Sequence, residues 1–212
     1  MSFVAVESIG IIGTGIVGRA VAAKALRHGY STTVANSRGP EAVRAALGDI
    51  GGLVHAGDVS GAAVADVVFL AIPFQLVPRL TDEADWSNRV VVDTTNQFEA
   101  SDPYRGRAHI GDLTGSEWVA DKLPGARIVK ALNTMFGPYI DADPQHSEGR
   151  QVAFFAGDDD AANTQVASIL TTFGFAALPV GNLREGGRLM QLDGFLNAKH
   201  MLLQNALDAP VD

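Results

Sequence analysis

The chain has 212 residues, 47% of them hydrophobic and 19% charged, a profile able to bury a substantial core as one sizeable domain or one domain with an appendage. Its formal net charge of −8 argues against nucleic acid, since binding a phosphate backbone needs a basic face. With no cysteine there is no disulfide, thiolate nucleophile or cysteine-held zinc; with no long apolar run and no signal-peptide pattern in MSFVAVESIG, a cytoplasmic protein outside the membrane is expected.

In chain order, seven β-rich runs alternate with helical stretches: SIGIIG, STTVAN, DVVFLAI, RVVVDT, ARIVKALN, QVAFFAG and FAALPV. Between the first two, Ala20, Ala23 and Leu26 recur at helical spacing, and Gly29 is placed to stop the helix. GPEAVRAALG puts Pro40 in the first turn of a second helix and Gly48 at its end. Pro73 and Pro78 punctuate the segment after the third run, and residues 101–112 form the most loop-like stretch. Such alternation predicts a parallel sheet with helices on both faces.

IGIIGTGIVGRAV places Gly13, Gly15 and Gly18 as G-x-G-x-x-G, after a strand and at the opening of a helix. Gly13 makes the tight turn, Gly15 lets the backbone approach a pyrophosphate, and Gly18 brings helix and strand close. The backbone N–H groups of Thr14, Gly15, Ile16 and Val17, at the positive end of that helix, would then face the phosphates. The alternative is a glycine-rich turn without a ligand; the surrounding strand, helix and second strand argue against it. The fold class is therefore α/β, a Rossmann-type doubly wound, mostly parallel sheet. A dinucleotide-binding domain is expected over residues 1–182. Residues 183–212 are expected as a helical tail, bent near Gly186, Gly187 and Gly194, that walls an acceptor site or contacts a subunit.

About 20 residues beyond the glycine loop, a carboxylate usually holds the adenosine ribose. Here the second strand runs into VANSRGP. Asn36 is neutral, Ser37 has a hydroxyl to donate and Arg38 offers a guanidinium fork, a set that suits a 2′-phosphate and so NADP rather than NAD. The same residues also make good turn chemistry.

Later strands deliver further candidates to the carboxyl edge of the sheet, where ligands of this architecture bind. They are Ile72, Pro73 and Gln75 in LAIPFQ, Asn96 in DTTNQF, and Asn133, Thr134 and Gly137 in KALNTMFGP. Met135 and Phe136 are candidates for an apolar wall beside a nicotinamide ring. The acidic GDDDAAN reads as helix capping rather than a cation site, and the five histidines show no ligand spacing, so no metal is expected.

Five stretches, GIIGTGIVG, NSR, FLAIPFQ, VVDTTN with ARIVKALNT, and FFAGDDDAANTQVASILTTFGFAALPVGNLREGGRLMQ, resemble the NADP oxidoreductases dependent on the deazaflavin coenzyme F420. The resemblance spans about residues 8–192 and extends to the cytosolic reductase domain of membrane metalloreductases, which pass hydride to a flavin. It implies an enzyme, acting as a homo-oligomer such as a dimer, that moves hydride between NADP(H) and a ring-shaped small molecule, F420 or a flavin. It also implies Thr14 to Val17 as pyrophosphate contacts, Ser37 and Arg38 as 2′-phosphate contacts, and Gln75, Asn96 and the Asn133 to Gly137 loop nearer the ring. Family members often add a lysine after the Ser-Arg pair, and Arg44 is the cation offered here.

Hydride transfer between two rings needs alignment and dryness more than acid–base machinery. A carbonyl or imine substrate would instead need a proton donor, with Lys130, Asp193, Lys199 and His200 as candidates whose bland reading is a strand partner or a solvated helix face. No catalytic residue is assigned. The alternatives are a reductase of a small imine or carbonyl compound and a non-catalytic NADP-binding sensor.

Overall fold

The computed structural model describes residues 5–100 and 106–204; residues 101–105 of the loop-like stretch, residues 205–212 of the tail and residues 1–4 lie outside them. In chain order the elements are β1 (Ser8–Ile12), α1 (Ile16–Arg27), β2 (Ser31–Ala35), α2 (Pro40–Leu47), β3 (His55–Gly57), α3 (Val59–Ala63) and β4 (Val67–Leu70). A 3₁₀ helix (Phe74–Leu80) follows, then β5 (Val90–Asp93), α4 (Gly115–Lys122), β6 (Arg127–Ala131), α5 (Gly137–Asp141), β7 (Gln145–His146) and β8 (Gly149–Gly157). The chain continues through α6 (Asp160–Thr172), β9 (Ala176–Pro179), α7 (Glu185–Met190) and β10 (Leu202–Gln204).

All seven expected strands form. Six strands run parallel in the order β3-β2-β1-β4-β5-β6. The chain leaves β1 in one direction through β2 and β3, then returns to β4 on the other side of β1. That reversal opens a crevice at the carboxyl ends of β1 and β4, where ligands of doubly wound sheets bind. Beyond β6 the sheet turns mixed: β8 is antiparallel to β6, and β9 is parallel to β8.

Alternate residues of each central strand enter opposite cores. Val67 and Phe69 of β4 join Val90 and Val92 of β5 under α1 and α6, while Val68, Leu70 and Val91 pack with Val119 and Leu123 of α4 on the other face. A strand buried on both faces has no polar side to show, and these strands accordingly read as unbroken apolar runs. Helix ends follow the sequence signals. Gly29, at φ 79°, lies just past α1, and Asp159 caps α6 by accepting from the Ala162 N–H at 2.7 Å. The acidic GDDDAAN is therefore accounted for by capping.

The tail differs from the expected bent helix. Among the tail's described residues helix is confined to α7, and Gly186 and Gly187 lie inside it rather than breaking it. A Cβ on Gly186 would stand 2.7 Å from the Ala156 Cβ, so this glycine lets α7 press onto β8. The helix ends beyond Met190, where Gly194 folds back over α7: a Cβ there would lie 2.4 Å from the Arg188 and Leu189 carbonyl oxygens. Asp193, at φ 67°, and Ala198, at φ 53°, sit in this non-helical return. The chain then adds β10 antiparallel to the start of β8, and Met190 and Leu196 bury against Val152 and Phe154. Residues 183–204 are thus built into the sheet. Asp193, Lys199 and His200 are exposed, as expected, but not on a helix.

Candidate functional site

Each motif glycine is required for a different reason. Gly13 has φ 117°, and a Cβ there would lie 2.1 Å from the Ala71 carbonyl oxygen beyond β4. At Gly18, a Cβ would lie 2.1 Å from the Gly13 carbonyl oxygen, so α1 sits as close to the loop as backbone allows. Gly15 is the opposite case: nothing lies within 4 Å of where its Cβ would be. The space over Gly15 is open, and no side chain caps the amino end of α1 beside it. An uncapped helix start facing free space, with no acidic residue in its first turn, has the electrostatics that favour an anion.

The end of β2 is tied to this loop. The Asn36 amide donates from Nδ2 to Thr14 Oγ1 at 3.2 Å, and its Oδ1 accepts the Arg38 backbone N–H at 2.8 Å. Asn36 thereby shapes the Ser37-Arg38 turn, and both of those side chains are exposed. Among the described residues, the Arg38 guanidinium is within ion-pair distance of no carboxylate.

Two cavities flank the crevice and share Gly15, Ala71, Ile72 and Pro73 as common wall. The larger, of about 670 Å³, reaches from Gly13 and Thr14 past Asn36, Ser37 and Arg38 to Asp58, Val59, Leu76, Arg79 and Glu83. Asp58 caps α3, accepting the Gly61 N–H at 2.7 Å and the Ser60 hydroxyl at 2.9 Å, and these bonds hold its carboxyl below the ordinary range. The smaller, of about 280 Å³, is walled by Ile16, Val17, Phe74, Gln75, Thr94, Thr95, Asn96 and Phe98. Its described lining holds hydrocarbons, hydroxyls and amides, with no ionisable side chain.

Behind the small cavity lies a buried ion pair. Lys130 Nζ at the end of β6 donates to Asp93 Oδ2 and to the Thr95 carbonyl oxygen, both at 3.0 Å, with side-chain exposures of 1% for the lysine and 0% for the aspartate. Asp93 also accepts from the Ser116 hydroxyl and from the Thr95 N–H and hydroxyl. Burial works against ionisation of Asp93, yet the Lys130 charge and these hydrogen bonds hold its carboxyl below the usual value. Lys130 is a strand partner, and it fixes the Thr94–Asn96 backbone that walls the cavity.

Of the residues expected at the site, Gly13 to Val17, Asn36 to Arg38, Ile72, Pro73, Gln75 and Asn96 line the two cavities, with Gly18 packed behind. The Asn133 to Gly137 loop does not. Leu132 takes φ 62° at the end of β6 and turns the chain away. Asn133 and Thr134 are buried, and Asn133 reaches the cavity only through Asn96: the Asn96 amide donates to the Asn133 carbonyl oxygen at 3.0 Å, and Asn133 Nδ2 donates back at 3.1 Å. Met135 sits in the core, where its Sδ accepts from Gln151 Nε2 at 3.0 Å. Phe136, 61% exposed, lies beside His200 instead of lining either cavity. Gly137 is needed for packing, since a Cβ there would overlap the Ile16 side chain. Arg44, on α2, is not part of the large cavity, whereas Asp58, Arg79 and Glu83 are. Arg79 comes to the cavity on the 3₁₀ helix Phe74–Leu80, which the prolines Pro73 and Pro78 did not announce as such.

The strand order, the glycine loop and the crevice at the switch point define a Rossmann-type NAD(P)-binding oxidoreductase. Residues 8–97 match the family model for NADP oxidoreductase, coenzyme F420-dependent. The chain is 32% identical to a hypothetical protein from Sinorhizobium meliloti of known structure, covering 93% of this chain and 96% of that one at a TM-score of 0.86. It belongs to this NADP oxidoreductase family. A candidate F420-dependent NADP-reductase from Arthrobacter sp. FB24 shares the fold at a TM-score of 0.72 and 22% identity, over 85% of this chain and 88% of that one. The rat metalloreductase STEAP3 is 23% identical over 176 residues, which are 82% of this chain but 34% of STEAP3. The chain thus spans about a third of that curated relative.

Proposed function

We propose that this protein binds NADPH and passes hydride to a planar ring acceptor, the deazaflavin coenzyme F420 or a flavin. The observation that carries this reading is the described lining of the small cavity beside the glycine loop, which holds no ionisable side chain. Reduction of a carbonyl or imine calls for a proton donor at the reacting atom. Lys130, behind the cavity, is sealed at 1% exposure and committed to Asp93 and Thr95. Asp193, Lys199 and His200 are absent from the described lining of the cavity. Ring acceptors need less: two faces aligned, and water kept out.

The protein's own groups divide the work. The amides at the start of α1 hold the diphosphate, with Gly15 leaving room for it. Ser37 and Arg38 take the 2′-phosphate, and Asn36 holds their turn against Thr14. Gln75 and Asn96 offer amides to the nicotinamide end, while Ile16, Ile72 and Phe98 exclude water. Bound NADPH would supply the hydride. The Arthrobacter protein, a candidate F420-dependent NADP-reductase, supports the reading, and a reductive aminase from Aspergillus terreus with the same fold in complex with NADPH (TM-score 0.62, 16% identity, 90% of this chain and 60% of that one) supports its NADP(H) half.

The test is stopped-flow mixing of the protein and NADPH with F420, FMN, FAD and a panel of carbonyl and imine compounds. Fast NADPH oxidation is expected with at least one ring acceptor. Oxidation only by carbonyl or imine compounds would overturn the acceptor class, and binding without turnover on any acceptor would overturn catalysis.

A further inference from the structure

We infer that Arg79, which shares the large cavity with Arg38, is a second cation for the nucleotide's 2′-phosphate, so that the phosphate is read from two elements of the fold. This rests on the NADP reading of the same site. The 3₁₀ helix Phe74–Leu80 repeats every three residues, so positions three apart share a face. One face, Phe74, Val77 and Leu80, is buried, with the Phe74 ring packed 4.3 Å from Trp118. The row one position earlier, Pro73, Leu76 and Arg79, lines the large cavity, and Leu80 at the end of the buried row also reaches its wall. Burial of one row therefore fixes the direction of the other, and Arg79 is aimed by the anchoring of Phe74 and Val77.

Its guanidinium is uncommitted. Among the described residues, neither Arg38 nor Arg79 has a carboxylate within ion-pair distance. The same cavity also carries two acids, neither of them within ion-pair distance of Arg38 or Arg79: Asp58, whose carboxylate accepts the Gly61 N–H and the Ser60 hydroxyl, and Glu83. Two guanidiniums lining one cavity from different elements, one at the β2 turn with Ser37 and one on the helix after β4, suit a doubly charged oxyanion.

The experiment is isothermal titration calorimetry with two probes that differ only in the 2′-phosphate, adenosine 2′,5′-bisphosphate and adenosine 5′-monophosphate. Arg79 is exposed, so Arg79→Ala is expected to keep the unmodified protein's melting temperature. The variant should bind the bisphosphate about tenfold more weakly and the monophosphate within about twofold of the unmodified protein. Arg79→Lys should recover part of the loss. Equal weakening of both probes would make Arg79 an adenine contact and overturn the inference, as would no change in either. If the unmodified protein fails to prefer the bisphosphate, the NADP reading itself falls; if it does prefer it and Arg79→Ala does not alter the preference, only the role of Arg79 falls.

Discussion

Replacing each motif glycine by alanine separates folding from binding. At Gly13 the new methyl would sit 2.1 Å from the Ala71 carbonyl oxygen and the backbone would stay at φ 117°. Forced φ costs about 1–3 kcal/mol and overpacking about as much again. A loss of about 3–5 kcal/mol in a chain of this size lowers the melting temperature by roughly 10 °C. Gly18→Ala meets the Gly13 carbonyl oxygen at 2.1 Å and should lose stability through overpacking alone. Gly15 differs, with φ −72° and nothing within 4 Å. The reduced freedom of the unfolded chain offsets the poorer helix cap, leaving stability within about 1 kcal/mol and the melting temperature within about 3 °C. Its methyl projects into the space assigned to the diphosphate, and NADPH binding should weaken about tenfold, or roughly 1.4 kcal/mol. Thermal melts and titration calorimetry on the three variants decide the matter. Unchanged NADPH affinity in Gly15→Ala, or a thermal loss as large as that of Gly13→Ala, would refute the assignment of that open space to a ligand.

Arg38→Ala should remove most of the preference for NADPH over NADH, measured as a ratio of dissociation constants; equal affinities in the unmodified protein would contradict the reading of Ser37 and Arg38. Asp93→Asn leaves a buried ammonium unpaired and should cost about 3–5 kcal/mol in urea unfolding. Because the folded state holds Asp93 below its ordinary value, its contribution is complete above about pH 5 and is lost as pH falls through and below about 4. The unmodified protein should therefore lose more stability on acidification than Asp93→Asn, and parallel pH profiles would argue against the pair. Gly186→Ala should destabilise by about 1–3 kcal/mol, since its methyl meets the Ala156 Cβ at 2.7 Å; an unchanged melting temperature would show that α7 has room to move.

The parts of the fold legible in the sequence are those whose burial is two-sided. β1, β4, β5 and β6 are buried on both faces and, apart from Ser8, Arg127 and the buried Asp93–Lys130 pair, declare themselves by their apolar composition. β3, β7 and β10, of three residues or fewer, are strands by pairing rather than by pattern. The tail misled because glycine serves two purposes. Gly186 and Gly194 were read as breaks, whereas Gly186 sits inside α7 where that helix meets β8, and Gly194 lets the chain double back. The same contrast runs through the site. Gly13, Asn36, Ile72 and Asn96 follow directly from strand ends and were visible locally. Arg79 and Asp58 meet the cavity through the packing of Phe74 and the capping of α3, which no linear spacing displays. The Asn133 loop failed as a direct wall because Leu132 adopts a left-handed backbone that the residue type does not favour.

Asn36 gives the cofactor preference an unusual cheapness to change. Its Oδ1 accepts the Arg38 N–H and its Nδ2 meets the Thr14 hydroxyl. An aspartate of the same shape would keep the first bond and take the second with the hydroxyl reversed as donor, while bringing the charge that favours a bare ribose and repels a phosphate. The loop would not have to be rebuilt. Under the proposed NADP reading, one atom of this side chain, nitrogen or oxygen, adds a charge against the 2′-phosphate without disturbing the Ser37-Arg38 turn, so a lineage carrying this scaffold could begin the path from one coenzyme pool to the other with a single substitution.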